Sequence, residues 1–357
     1  MDAMPRVSII ILNWNGWKDT IECLESVYQI TYPNYDVIVV DNGSENESVE
    51  KIKEYAEGKS PIISNFFEYS KQNMLADITK CLQEEIKGKR RTEKSKSWVS
   101  STKNLILIKN DINCGFAEGS NIGIQWTIER GYDYILLLNN DTTVEPNILS
   151  SLLHAAEINP NAGMVGPKII DYYSHKMQFA GGSIAKRNLL NPFVADGFGK
   201  DDQSQFDRIK KCEWLTGCCL LIPVDVLLDI GLFDTSFFAY CEDVDLSLRV
   251  SKMGYDIIYC PDTRVWHKGG ASSGGPMSPL AFYLSTRNKL YVIWDYFPFP
   301  EKYLQLLFLY TLYPVGVFVY CLIVKNNFSL LKALGYALIY PLLLGKQREH
   351  LDNCLRK

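Results

Sequence analysis

No two cysteines stand in C-x-x-C spacing, although the chain carries ten of them in 357 residues. That absence removes the ligand spacing of a zinc site and the pattern of a disulfide scaffold. Residues 1–19 hold Arg6 and only a short apolar run, too short for the core of a signal peptide. Free, mostly buried thiols in a reducing compartment are therefore expected. Charge of one sign is not in excess either. Lys and Arg total 37 against 41 Asp and Glu, a net charge of −4, which gives no bulk electrostatic case for nucleic acid. The dinucleotide fingerprint G-x-G-x-x-G is missing, since Gly115, Gly119 and Gly123 are spaced too far apart. A nucleotidyltransferase would want a glycine-rich, basic loop after its first strand, and residues 13–16 (NWNG) offer none.

What is present is ordinary globular composition, 47% hydrophobic and 22% charged, at a length of about two domains. Apolar runs at 7–12 (VSIIIL), 35–40 (YDVIVV), 105–108 and 134–138 (YILLL) predict strands buried on both faces. Helical patterns at 17–29, 48–56 and 117–129 alternate with them. This rhythm predicts an α/β fold with a doubly wound, mostly parallel, Rossmann-like sheet. Ligands of such sheets bind beyond the carboxyl ends of the strands, where the polar clusters 13–16, 41–44 and 139–141 fall. Residues 58–103 read as a charged, inserted surface excursion, partly helical over 73–87. Short strands near 164–169 and 257–259 and a helix near 244–253 complete a domain over 1–300.

The tail differs from the rest. Residues 303–324 contain no charge, and over 303–345 only Lys325 and Lys332 are charged. A run of this length can cross a bilayer core. Residues 301–357 are expected to form an apolar helical, membrane-associated unit with a partly basic tail. It would cross as a hairpin, lie in the interface, or pack as a buried helical subdomain.

Five segments stand in a fixed order: VSIIILNWNG, DVIVVDNGS, NCGFAEGSNIGI, LLLNNDTTV and FDTSFFAYCEDVDLSLRV. Together they resemble the family 2 glycosyltransferases of the GT-A fold, and most of all the rhamnosyltransferase-like branch that builds cell-surface polysaccharides. The resemblance covers about residues 5–295, less the insertion. It implies an inverting enzyme that moves one hexose or deoxyhexose from a dTDP-, UDP- or GDP-sugar to a glycan or lipid-linked acceptor. Processive members carry Q-x-x-R-W, which is absent here. The catalytic face is expected on the cytoplasmic side of the cell membrane, where nucleotide sugars are made. A degenerate, non-catalytic relative would be expected to lose Asp141 or Asp243, and both are present.

Residue by residue, the resemblance implies that Asp243 is the base, with Glu242 beside it positioning the acceptor or raising the Asp243 pKa. Asp41, with Asn13 and Asn15 at the first strand end, would contact base or ribose. Asn113, Gly115, Phe116, Gly119 and Asn121 would bring backbone and amide close to ribose or phosphate, or else serve tight helix–strand packing. Asn139, Asn140 and Asp141 stand at the family's D-x-D position, with Asn replacing the first Asp, so only Asp141 supplies charge to Mg²⁺ or Mn²⁺. His267 either completes that metal site or is a structural histidine. Trp214 and Gly217 mark the acceptor side, Trp214 as a sugar platform or as core. Arg287 would neutralise phosphate or face anionic lipid.

Overall fold

The computed structural model describes residues 4–59, 64, 66–67, 78–82, 105–269, 278–325 and 329–344. Its centre is an eleven-stranded mixed sheet. The first half holds β1 (Val7–Asn13), β2 (Tyr35–Asn42), β3 (Ile78–Leu82), β4 (Leu105–Asn110) and β5 (Tyr134–Asn139), which pair in parallel in the order β5-β1-β2-β4-β3. The second half holds β6 (Thr142–Val144), β7 (Ala162–Asp171), β8 (Met177–Phe179), β11 (Lys210–Lys211), β12 (Cys219–Pro223) and β13 (Asp256–His267). Here β12 runs antiparallel between β5 and β7, and β13 pairs in parallel with β7. A separate hairpin pairs β9 (Gly182–Ile184) with β10 (Phe193–Ala195).

The apolar runs behave as their composition demands. Val7, Ile9, Ile10 and Ile11 of β1, and Val37 to Val40 of β2, are essentially inaccessible. Each such side chain stabilises the fold by about 1.5–3 kcal/mol relative to exposure. Helices Trp17–Val27, Ser48–Ala56 and Gly115–Ile128 follow the parallel strands. Gly119 lets the last of these lie close on the sheet, because a Cβ there would stand 2.6 Å from Leu12. The register sets the polar strand ends side by side, with Asn13 opposite Asp41 and Leu12 opposite Asn139.

One expectation is corrected in the insertion. Residues 78–82 form the edge strand β3 rather than a helix, and the rest of the 73–87 helix expectation lies outside the described residues. Cys23, Cys114, Cys212, Cys218, Cys219, Cys241, Cys260 and Cys321 carry free thiols.

The C-terminal part is helical: Pro279–Tyr296, Glu301–Tyr310, Leu312–Tyr320, a π turn over Cys321–Lys325, and Ser329–Leu344. Glu301–Ile323 is long and apolar enough to cross a membrane, with mean hydropathy 2.1, yet only 17% of its apolar window is buried. Leu307, Leu312, Phe318 and Ile323 are exposed, so this run is not the packed interior of a soluble subdomain. The second run does pack: Leu330, Ala333, Leu334 and Ala337 are buried, and Ser329–Leu344 lies along Pro279–Tyr296.

Candidate active site

The adjacent ends of β1, β2 and β5 are tied together by side chains. Asn13 Nδ2 donates to Asp41 Oδ1 at 2.7 Å, and the Ser44 hydroxyl donates to the same oxygen at 2.6 Å. Thr20 Oγ1 donates to Asn13 Oδ1 at 2.8 Å and accepts from Asn140 Nδ2 at 3.0 Å. Asn15, in the left-handed region at φ 55°, accepts at Oδ1 from the Glu45 amide and so joins the two loops. Asn13, Asp41 and Asn140 are buried and bonded to one another's neighbours. They form the scaffold under the strand ends rather than an exposed wall.

At the glycine-rich helix start the contacts made are those of the packing alternative. Gly115 has φ 86°, and a Cβ there would stand 2.5 Å from Phe238, so the group that approaches closely is this chain's own loop. The helix's first amides are occupied, with Gly115 N–H on Asn113 Oδ1 and Ala117 N–H on the Phe238 carbonyl. Asn113 Oδ1 also accepts from Asn42. Asn121 spends both ends of its amide on the Phe233 backbone, at 2.9 and 3.0 Å. In this structure Asn113, Gly115, Gly119 and Asn121 are engaged in packing and loop contacts. Phe116 alone of this group reaches the site, beside Gly217.

Across from the scaffold, β13 brings His267 to Asp141. His267 Nε2 is 3.2 Å from Asp141 Oδ1, and the Asn139 amide lies 3.4 Å from the same nitrogen. Both residues are largely buried. Burial opposes the imidazolium, but the Cys218 sulfur and the Asp141 carboxylate outweigh it, so His267 sits well above the usual imidazole range. Burial likewise works against the Asp141 charge, but His267 and backbone amides prevail and hold it below the usual carboxylate range. Gln178 Oε1 lies 2.6 Å from Nδ1. It fixes that nitrogen as the donor, so deprotonated Nε2 would turn its lone pair toward Asp141. No feature of the sequence singled out Gln178, which reaches His267 from 89 positions away.

The carboxylate pair opens helix Glu242–Lys252. Asp243 Oδ2 accepts from the Gly217 amide and Oδ1 from the Val244 amide, both at 2.8 Å. Burial raises the Asp243 pKa, while the bonds from Gly217 and Val244 hold it down. Glu242 is raised well above its ordinary value, by burial first and then by the Asp243 charge, and its Oε2 has no partner among the described residues. Both carboxyls of the pair are thus raised by burial, and each makes ionisation of the other more costly. Two buried neighbouring carboxyls that cannot both ionise cheaply suit proton transfer at this helix start. Asp245, bonded to Arg249 and Tyr296, is structural.

The raised Glu242 carboxyl has a stability signature. A carboxyl whose folded pKa is raised contributes fully below its unfolded value and loses that contribution as pH rises through the folded value. Glu242→Gln is therefore expected to lose less thermal stability than the parent between about pH 5 and 8. Melting curves across that range check it, and parallel losses in both proteins would contradict it.

Two further sequence expectations are corrected. Trp214 is no sugar platform: it is 9% exposed, packs on Phe179 at 4.9 Å, and donates from Nε1 to the Ser183 carbonyl. Arg287 faces neither phosphate nor lipid, because it is buried on the carbonyls of Ser236 and Phe237.

The two halves of the site meet through adjacent residues. The Gly217 amide holds Asp243, while the Cys218 carbonyl accepts from the Asn139 amide at 2.9 Å. Consecutive Cα atoms are about 3.8 Å apart. Asp243 and the Asp141–His267 pair are thereby tied to one short backbone stretch, at Gly217 and through Asn139 at Cys218.

This fold is shared with known sugar-transfer proteins. The structure of GalNAc-T7 with UDP, GalNAc and Mn²⁺ aligns at TM-score 0.56 and 16% identity, over 83% of this chain and 49% of that one. The mannosyltransferase PcManGT of Pyrobaculum calidifontis, solved with GDP-Man and Mn²⁺, aligns at TM-score 0.51 and 15% identity, over 97% and 77%. They share the GT-A architecture. A family model described as glycosyltransferase like family 2 matches residues 5–289, and the chain belongs to that family. The N-acetylglucosaminyl-diphospho-decaprenol L-rhamnosyltransferase of Mycobacterium tuberculosis is 34% identical over 162 residues, 42% of this chain and 52% of that protein. Rhamnosyltransferase WbbL of Escherichia coli K12 is 26% identical over 164 residues, 43% and 60% respectively. The chain thus spans about half the length of these curated relatives.

Proposed function

We propose that this chain is an inverting glycosyltransferase. It moves a single hexose or deoxyhexose, such as rhamnose, from a dTDP-, UDP- or GDP-sugar to a glycan or lipid-linked acceptor. The observation that carries this reading is the backbone stretch at 217 and 218, with Asp243 bonded on one side and Asn139, beside Asp141 and His267, on the other. A donor diphosphate and an acceptor hydroxyl need this separation of roles. Asp243 takes the acceptor proton as the hydroxyl oxygen attacks the anomeric carbon. The bond from that carbon to the diphosphate oxygen breaks, and the nucleoside diphosphate leaves with the electron pair. Glu242, next to Asp243 at the helix start, would help position the acceptor side. The nucleotide lies against the strand ends framed by Asn15 and Phe116, above the buried scaffold of Asn13 and Asp41.

Asp141 Oδ1 and His267 Nε2 converge as an oxygen and a nitrogen donor, a set that suits Mn²⁺ or Mg²⁺. A divalent cation there would neutralise charge on the departing diphosphate. The mycobacterial relative, named for a diphospho-decaprenol acceptor, supports a lipid-linked acceptor for this chain. So does the exposed apolar run 301–323, which would hold the enzyme at the cytoplasmic face of the membrane.

A panel of dTDP-, UDP- and GDP-sugars, with Mn²⁺ and a membrane-lipid extract, tests the function. Release of one nucleoside diphosphate is the expected result, and no binding or turnover of any donor would sink the reading. For the membrane assignment, removal of residues 303–357 is expected to shift the protein from the membrane to the soluble fraction. Continued recovery with membranes would contradict that assignment.

A further inference from the structure

The segment leading into the carboxylate pair is wound tightly. Phe238, Tyr240 and Cys241 all lie in the left-handed region, at φ 63°, 71° and 65°. Side chains with a Cβ rarely adopt it, and such a loop persists only where its surroundings over-determine it. What surrounds this loop is Arg287 and Asn288, at 2% and 0% exposure. Asn288 Nδ2 lies within hydrogen-bond reach of three carbonyls of one turn, those of Phe237, Ala239 and Tyr240, at 2.9, 2.8 and 2.7 Å. Arg287 Nη2 donates to the carbonyls of Ser236 and Phe237, each at 3.0 Å. Arg287 Nε donates to Asn288 Oδ1 at 2.9 Å, which fixes the amide with its NH₂ toward the loop. The guanidinium in turn sits between the rings of Tyr283 and Tyr291.

The helix that carries both residues, Pro279–Tyr296, belongs to the C-terminal helical array. Tyr283 and Leu284 from it and Ala333 and Ala337 from Ser329–Leu344 form one apolar cluster, against which Phe238, Ala239 and Tyr240 pack. The array thus touches the loop with both polar and apolar groups.

We infer that Arg287 and Asn288 are positioning residues for sugar transfer. By gripping the carbonyls of residues 236–240 they set the turn at Cys241, and with it the place of Asp243 at the helix start. The C-terminal array is then part of the catalytic apparatus as well as an anchor. This inference rests on Asp243 being the base.

The test uses the full chain in detergent, with release of nucleoside diphosphate from whichever dTDP-, UDP- or GDP-sugar the parent protein consumes. Nucleotide affinity is read separately by titration with UDP, GDP and dTDP in the presence of Mn²⁺. Asn288→Asp keeps the side-chain size and removes both amide donors. A displacement of order 1 Å at the reacting groups costs about 100-fold. Asn288→Asp is therefore expected to lower kcat by about 100-fold, with donor KM and nucleotide affinity within about threefold of the parent. Asn288→Gln, which keeps the NH₂ group, is expected to recover part of the loss. Arg287→Lys, which keeps charge but not the planar fork, is expected to lower kcat with the same unchanged affinity. Should Asn288→Asp fail to fold, Asn288→Gln and Arg287→Lys carry the test by their kcat alone. Folded variants with parental kcat would overturn the inference. So would losses of kcat and nucleotide affinity in parallel, tracking a lowered melting temperature. Asp243→Asn, run alongside, separates the two ideas: parental turnover there removes the base assignment itself. An inactive Asp243→Asn beside a fully active Asn288→Asp removes only the positioning role.

Discussion

Asp243→Asn is expected to lose transfer by about 10³-fold, within the range a positioned general base supplies. Nucleotide affinity is expected to stay near that of the parent, because the contacts of Asp243 are local. They are the amides of Gly217 and Val244. The asparagine side chain keeps the shape but cannot accept the acceptor proton. The pH profile provides a second signature. Burial raises the Asp243 pKa, so the ionised base appears only as pH climbs above the usual carboxylate range. Activity of the parent is therefore expected to fall as pH drops through that raised value, with its acidic limb displaced upward. Residual activity of Asp243→Asn is expected to lack this limb. Parental turnover in the variant, or a limb at the ordinary carboxylate value, would count against the assignment.

Asp141→Asn has the second large effect. It removes the carboxylate that faces His267 Nε2 across 3.2 Å. The Asn at 139 leaves Asp141 as the sole charged member of the 139–141 cluster. Loss of a preorganised electrostatic group aimed at developing charge costs about 10²–10³-fold in turnover. Here, unlike at Asp243, affinity for UDP, GDP or dTDP is expected to lose its dependence on Mn²⁺. Gln178→Leu should show a smaller version, about 10–100-fold, since it only orients the imidazole. Titrations with and without Mn²⁺ separate these outcomes, and an Asp141→Asn protein whose Mn²⁺ dependence is intact would remove Asp141 from the metal role.

The parallel strands were legible because their apolar runs must be buried on both faces, and their polar ends followed from the same pattern. The start of the Glu242 helix was legible to within two residues. What escaped sequence reasoning depends on partners far along the chain. Asn121 is claimed by Phe233, 112 positions away, and Arg287 by Phe237, 50 positions away. Neither residue type reveals its partner, so an amide near glycines read as a ligand contact and an arginine beside an apolar tail read as a phosphate or lipid contact. Gly115 and Gly119 were correctly seen as points of close approach, yet the groups approaching are Phe238 and Leu12. Strand β3 was hidden by the charge of the insertion, because an edge strand lacks the double-faced apolar signal.

The acceptor hydroxyl, giving its proton to Asp243, is expected to attack the anomeric carbon from the face opposite the diphosphate. The anomeric configuration of the product tests this most directly. It is read from the coupling constants of the transferred sugar by nuclear magnetic resonance and compared with that of the donor. A single added sugar with inverted configuration is expected, formed by the parent protein and not by Asp243→Asn. A product that retains the donor's configuration would contradict it.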